Sequence, residues 1–173
     1  FCGYGVGGFF IHKNEAVAGE EKMAGEVGKM LLSVDGIQEE SLTFEEAVSV
    51  SAVKKQMKEK GLDMHFSELL ERYHAGSPEA VDFLTPVLNT ISKVLYNLLW
   101  IYNPTRIVID SCKAGYSLAI TEHFRNYMEK MRNDAIPIHV QIRQAKYNEY
   151  HKMRGCFHMV RNAWIEEIAD MLK

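Results

Sequence analysis

The sequence predicts an α/β layered domain, and the prediction comes from the alternation of two patterns in its second half. Apolar residues recur at helical spacing over three long stretches, and short β-branched or alternating stretches separate them. The resulting order, helix, strand, helix, strand, helix, is typical of a sheet covered by helices. At 173 residues, without an internal repeat or a low-complexity linker, the chain predicts a single domain over residues 1–173 with a real core.

The first part of the chain predicts a hairpin followed by a turn-rich segment. Residues 7–12 are apolar and β-prone, and the turn Lys13-Asn14 separates them from a second strand at 15–18. Residues 24–36 predict a short helix or a loop.

Two helices are predicted between residues 43 and 76. Thr43 is the expected N-cap of a helix that runs to Lys60 and ends at Gly61, a residue type suited to the position after a helix. A shorter helix is expected over 65–74, closed by Gly76.

The longest helix is predicted to begin at Ser77-Pro78-Glu79 and to end at Asn103-Pro104. Pro86 lies inside it and predicts a kink or a split, because proline lacks the N–H of the helical ladder. Its apolar stripe is Val81, Leu84, Leu88, Ile91, Leu95, Leu98 and Tyr102.

The remaining elements complete the alternation. Residues 106–110 predict a buried strand, 117–132 an amphipathic helix, and 138–142 a half-buried strand. A last helix near 151–172 has the stripe Met153, Phe157, Val160, Trp164 and Ile168. Core packing is the expected use of most aromatic residues in the long helices, and a dimer face is the alternative.

Composition excludes several classes of function. A net charge of −3 predicts no nucleic-acid-binding surface in this segment. No stretch of the sequence is long and apolar enough to predict a transmembrane helix. Three scattered cysteines without a Cys-x-x-Cys pair, and no signal peptide, predict reduced thiols in a cytoplasmic protein. The chain opens at Phe1 directly on a glycine loop, so we expect further sequence upstream.

The stretch Ala24-Gly25-Glu26-Val27-Gly28-Lys29-Met30 is the strongest candidate for a site. On a helix Glu26 and Lys29 share a face and could contact one ligand, while Gly25 and Gly28 allow a ligand or another backbone to come close. The alternative is an exposed ion pair on a solvated helix face.

Together with Gly3-Tyr4-Gly5-Val6-Gly7-Gly8 upstream and Asn103-Pro104-Thr105-Arg106 downstream, this stretch resembles the ROK family of repressors, open reading frames and sugar kinases. The resemblance covers nearly the whole chain. It implies the ribonuclease-H-like, actin-like ATPase (hexokinase-type) fold: a C-terminal lobe with a mixed sheet and an inserted helical segment at about 43–76.

The resemblance also implies a glycine-rich phosphate loop, which is altered here. Kinases of the family have Gly-Thr-Gly where this chain has Gly3-Tyr4-Gly5, so a bulky phenol replaces a small hydroxyl. Asp110 stands where glycines would admit adenosine, and it adds negative charge beside a nucleotide. We therefore interpret Gly3, Tyr4, Gly5 and Asp110 as a degenerate nucleotide loop, with a simple tight turn as the alternative for the glycines.

At the positions of the family's zinc site the ligands are replaced, whereas at the positions of its sugar site the carboxylates are retained. Lys29 replaces the histidine ligand of zinc, and residues 33–43 contain no cysteine, so no metal and no other cofactor is expected. Glu26 and Glu45 match the family's sugar-contacting carboxylates, which accept hydrogen bonds from vicinal hydroxyls. Lys29 could donate to a sugar hydroxyl or attract a phosphate, and Glu45 could instead be only a first-turn acid that stabilises its helix.

Three functions remain, and the pattern favours the first. It is a sugar or sugar-phosphate sensing domain of a ROK-type transcriptional regulator, a non-enzyme that is expected to be a homodimer or higher oligomer and to bind DNA only through an upstream domain. The alternatives are an ATP-dependent sugar kinase of the same family and a degenerate interaction or dimerisation module without a ligand.

Overall fold

The computed structural model describes residues 1–13, 15–32, 42–132 and 139–146, and the single positions 157, 160, 161, 164, 165, 168 and 171. Its helices are α1 (Phe44–Val48), α2 (Val50–Glu59), α3 (Phe66–His74), α4 (Pro78–Tyr102) and α5 (Ala114–Lys130). Its strands are β1 (Ile11–His12), β2 (Glu15–Ala16), β3 (Leu31–Leu32), β4 (Leu42–Thr43), β5 (Arg106–Ile109) and β6 (Gln141–Gln144). The predicted α/β class is confirmed.

The strands of the described segments pair two by two. β1 with β2 and β3 with β4 are antiparallel pairs, whereas β5 and β6 are parallel, with Arg106 opposite Gln141 and Ile109 opposite Gln144. α5 connects β5 to β6, because parallel neighbours need a long crossover. The predicted hairpin is confirmed in β1 and β2, although its strands are shorter than expected.

The core lies among the helices. α4 packs against α5, α3 and α1, so the longest helix is the axis of the domain. Leu84 and Leu88 of its predicted stripe are completely buried, whereas Tyr102 at its end is exposed and stacks on Phe10 with ring centroids 3.8 Å apart. No helix in the described segments is long and apolar enough to cross a membrane.

Pro86 does not split α4, which runs unbroken from Pro78 to Tyr102. Proline leaves the carbonyl four residues earlier, that of Asp82, without its helical donor. Asp82 is exposed, so water can satisfy this carbonyl, and buried residues on both sides of Pro86 hold the helix together. Its end at Asn103 is confirmed, in the left-handed conformation with φ 42°.

The single helix predicted from Thr43 to Lys60 is wrong, because it breaks at Ser49. Ser49 has an extended backbone with ψ 157°, and its hydroxyl accepts a hydrogen bond from the Ala52 amide at 3.1 Å. The break releases the Val50 amide, which donates to Gly3 O at 2.7 Å instead of to a helical carbonyl. A contact with the start of the chain therefore divides the helix.

Ser49→Ala is expected to destabilise the domain by about 1 kcal/mol, because α2 loses its N-cap. Ser51→Ala is the matched control, since Ser51 is exposed within α2 and alanine has the higher helix propensity. Urea unfolding followed by circular dichroism measures both. Equal effects of the two substitutions would contradict the capping role of Ser49.

Two predictions in the second half need correction. The strand predicted over 106–110 forms over 106–109, but only Ile109 of β5 is buried and Val108 is 55% exposed. The second strand lies at 141–144 instead of 138–142, because its register follows the hydrogen bonds Gln141 N to Thr105 O and Ala145 N to Ile109 O. Ile138 lies outside the described residues.

Of the four described residues in the apolar stripe of the last helix, three are exposed and Ile168 is half-buried. The described positions between 157 and 171 are helical, but Phe157, Val160 and Trp164 are each more than 60% exposed. Helical periodicity identifies an apolar face without identifying what covers it, so the expected core role is wrong for these three residues. Met153 lies outside the described residues.

Candidate functional site

The glycine loop, residues 2–8, is held by backbone hydrogen bonds to two distant elements. The Cys2 amide donates to Asp110 O at 2.8 Å, directly after β5, and Gly3 O accepts the Val50 amide at the start of α2. Within the loop, Gly3 N donates to Gly5 O at 2.8 Å. The loop therefore joins the end of the β5 strand to the break between α1 and α2.

Gly25 and Gly28 bring a second backbone segment against this loop. Gly8 N donates to Gly25 O at 2.7 Å, and Gly25 has φ +101°, a conformation that L side chains rarely adopt. A Cβ atom on Gly25 would overlap the Gly8 carbonyl, and one on Gly28 would overlap Val6 O. The space left by these glycines is thus filled by backbone, one of the two possibilities that the sequence left open.

Glu45 on α1 connects the loop to the candidate sugar residues. Its Oε2 accepts a hydrogen bond from the Val6 amide at 2.7 Å, and its Oε1 lies 3.9 Å from Lys29 Nζ. The Lys29 side chain is 70% exposed, so its cation faces solvent as well as Glu45. Two of the three predicted sugar residues are therefore brought together.

Glu26 lies in the same turn as Lys29. It precedes the 3₁₀ turn Val27–Lys29, and its carbonyl accepts the Lys29 amide at 3.0 Å. The Glu26 side chain is exposed. Within the segment predicted as a short helix or a loop, the structure forms this single 3₁₀ turn, and Lys29 at its end is directed toward Glu45.

The two first-turn acids of α1 have different partners. Glu46 forms a capping box with Thr43, and the hydrogen bonds from Thr43 lower the pKa of the Glu46 carboxyl. Glu45 instead binds the loop through Val6. Glu45 is therefore more than a first-turn acid that stabilises its helix.

The four predicted residues of the degenerate nucleotide loop lie on two neighbouring turns. Tyr4 is 69% exposed, and Lys54 Nζ lies 5.8 Å from the centre of its ring. A Cβ atom on Gly5 would lie 2.9 Å from Glu45 Oε2, so Gly5 lets that carboxylate approach. Asp110 is half-buried, and its Oδ1 accepts the Ser111 amide at 2.9 Å.

A buried polar contact behind the loop was missed by the sequence reasoning. The Val48 carbonyl accepts hydrogen bonds from the Tyr116 hydroxyl at 2.8 Å and from Cys2 Sγ at 3.4 Å. Burial raises the pKa of Cys2 to about 12 and raises the pKa of Tyr116 as well, so both groups are neutral donors. Tyr116 lies four residues before the buried Ile120 and thus on the same face of α5, a signal that could have placed it in the core.

The residues present do not fit the zinc ion that the ROK resemblance would imply. Lys29, which stands at the position of the histidine ligand, pairs with Glu45, and an ammonium group is not a zinc ligand. In the described part of the chain no three His, Cys, Asp or Glu side chains are grouped to hold a metal. Residues 33–41 lie outside the described segments, so the expected loss of zinc stays a prediction.

The fold is mixed α/β, with a glycine loop, a Gly-Glu-x-Gly turn and a carboxylate that connects them. A model of the ROK family matches residues 1–163, and the chain belongs to that family. No curated protein matches the sequence significantly.

Solved structures of ROK proteins have the same fold. A ROK hexokinase from Thermus thermophilus has a TM-score of 0.63 at 20% identity over 86% of this chain and 51% of its own. A putative N-acetylmannosamine kinase from Listeria monocytogenes has a TM-score of 0.68 at 23% identity, with coverages of 86% and 51%. A ROK-family transcriptional regulator, a homologue of the E. coli MLC protein, has a TM-score of 0.70 at 12% identity, with coverages of 86% and 41%.

The chain thus spans about half the length of the kinases it matches. At these identities the similarity establishes the actin-like ATPase fold of the family and leaves open whether the chain is a kinase or a regulator.

Proposed function

We propose that the chain is the C-terminal lobe of a ROK-type transcriptional regulator and that it senses a sugar or a sugar phosphate. The sugar binds at Glu26, Lys29 and Glu45, and the protein transfers no phosphate. The observation that carries the proposal is the contrast between this cluster and the neighbouring turn after β5, where Asp110 lies.

Asp110 and Tyr4 make the loop a poor site for a nucleotide. The backbone of Asp110 is hydrogen-bonded to Cys2 of the glycine loop, so a phosphate at the loop would approach a residue that carries a negative charge. Like charges at short range oppose binding, and the exposed Tyr4 ring adds bulk beside them. Kinase chemistry of this kind depends on positioning the phosphates, so both features count against it.

The sugar cluster has the chemistry that a polyhydroxylated ligand needs. Carboxylate oxygens of Glu26 and Glu45 accept hydrogen bonds from hydroxyl groups, and Lys29 donates to a hydroxyl or pairs with a phosphate. Lys29 and Glu45 are paired, Glu26 lies in the same turn as Lys29, and the Glu26 and Lys29 side chains are exposed. A related ROK protein from Streptococcus pneumoniae was solved in complex with sucrose, which makes a carbohydrate the natural class of ligand.

Regulation would follow from a shift between two populations of the whole protein. Sugar bound between this lobe and an upstream lobe favours one angle between them, and the DNA-binding arms of a cytoplasmic homodimer respond to that angle. DNA is contacted only through the upstream domain, since this segment carries a net charge of −3.

A sugar kinase of the same family is the second candidate. It is favoured by the names of two of the three structures compared above, a hexokinase and a putative N-acetylmannosamine kinase. A ligand-free interaction module is the third, and the exposed Trp100 and Ile101 at the end of α4 favour it.

Calorimetric titration of the full-length protein with hexoses, amino sugars and sugar phosphates, with and without ATP, separates these candidates. For the sugar that binds, Glu26→Ala is expected to weaken affinity about tenfold or more, because a charge-assisted hydrogen bond is lost. Glu20→Ala, which removes another exposed carboxylate outside the cluster, is the matched control and should leave affinity unchanged.

Binding that ignores ATP supports the sensor. Measurable ATP binding or turnover would support the sugar kinase instead. If no compound binds, the interaction module is favoured.

A further inference from the structure

We infer that Glu45 is a positioning residue that couples sugar binding to the conformation of the glycine loop. The inference rests on the proposed function. It adds the contacts through which a bound sugar changes the conformation of the rest of the lobe. It depends on the fact that the two carboxylate oxygens of Glu45 have different partners.

The two oxygens face different partners. Oε2 accepts the Val6 amide at 2.7 Å and would lie 2.9 Å from a Cβ atom on Gly5, so it is directed into the loop. Oε1 lies 3.9 Å from Lys29 Nζ, longer than a good hydrogen bond. The Glu45 side chain is 32% exposed and the Lys29 side chain 70% exposed, so a ligand can reach Lys29 from solvent.

A sugar hydroxyl or phosphate that accepts a hydrogen bond from Lys29 draws the ammonium group away from Oε1 and leaves more negative charge on Oε2. Hydrogen bonds of ionised groups are strong and respond to neighbouring donors. Ligand binding therefore strengthens the hydrogen bond from the Val6 amide to Oε2. By thermodynamic linkage, a loop that holds Glu45 in place also strengthens binding of the sugar.

The loop can pass this change on because it is bonded to two elements of the domain. Gly3 O accepts the Val50 amide at the α1–α2 break, and the Cys2 amide donates to Asp110 O after β5. Behind the loop, Cys2 Sγ and the Tyr116 hydroxyl donate to the same Val48 carbonyl. A shift of the loop at Val6 thus reaches the start of α2, the end of β5 and the first turn of α5.

Hydrogen exchange of the Val6 amide in the full-length protein tests the ligand-free contact. Glu45→Ala should accelerate exchange about tenfold, because the amide loses an ionised acceptor, and Glu45→Gln should accelerate it less, because a neutral oxygen can still accept. Glu46→Gln is the matched control: Glu46 is the next residue on α1 and binds Thr43 and not the loop. Equal exchange in the Glu45→Ala variant and the wild type would overturn the inference.

Addition of glucose, sucrose or glucose 6-phosphate tests the coupling. For whichever of these probes binds by calorimetry, we expect Val6 exchange to slow about fivefold in the wild type and in the Glu46→Gln variant. It should not change in the Glu45→Gln variant, even at concentrations that saturate that variant. A merely structural Glu45 would leave the same ligand-dependent slowing in all three proteins, and this result would overturn the coupling.

The two proposals fail in distinguishable ways. If no sugar of the calorimetric panel binds, the proposed function and the coupling are both overturned, while the ligand-free exchange still decides whether Glu45 holds the loop. If a probe binds without changing Val6 exchange in the wild type, the proposed function survives and the coupling does not.

Discussion

Gly25→Ala is expected to destabilise the domain by about 3 kcal/mol, the sum of a backbone effect and a steric effect of comparable size. Gly25 has φ +101°, a region that costs an alanine about 1–2 kcal/mol. Its new methyl group would also overlap the Gly8 carbonyl, whose residue is bonded to Gly25 through Gly8 N and Gly25 O. The substitution must therefore separate the Gly25 turn from the glycine loop.

Gly7→Ala is the matched control within the same loop. A Cβ atom on Gly7 would meet nothing within 4 Å, and Gly7 is not among the glycines with positive φ. Its unfolding free energy should stay within about 0.5 kcal/mol of the wild type, as for a surface substitution. Urea unfolding of both variants measures the difference, and a cost for Gly25→Ala no larger than that for Gly7→Ala would show that the two backbones can move apart freely.

The local features of the fold could be predicted from the sequence because each depends on neighbours within one turn. Thr43 caps α1, and Gly61 and Gly76 follow α2 and α3 with positive φ, as their residue types require. The end of α4 at Asn103 follows the same logic, since asparagine tolerates the left-handed region.

The features that depend on distant partners could not be predicted. Ser49 looks like an ordinary residue inside a helix until Val50 is found to donate to Gly3, 47 positions upstream. Glu45 and Glu46 are equivalent as first-turn acids, and only the position of Val6 gives them separate partners. The predicted burial of Val108 was wrong for the same reason. A run of β-branched residues predicts a strand, but it does not show which element covers that strand.

The sequence therefore identified the residues of the candidate site, but it did not predict their contacts. Glu26, Lys29 and Glu45 were named from their pattern and family resemblance, and the geometry adds that Lys29 and Glu45 are paired. The pairing of Glu45 with the Val6 amide turns a predicted ligand contact into a contact that also holds the loop. Their role toward a sugar stays a prediction for the titrations above.

Leu88→Ala is expected to destabilise the protein by about 3 kcal/mol, because it removes a completely buried side chain and leaves a cavity. α4 packs against α5, α3 and α1, so a void on its buried face loosens the helix that supports Glu45. Ile101→Ala on the same helix is the matched control, since Ile101 is 66% exposed and should cost less than about 0.5 kcal/mol. Urea unfolding monitored by circular dichroism compares them, and similar midpoints for the two variants would contradict the assignment of α4 as the axis of the core.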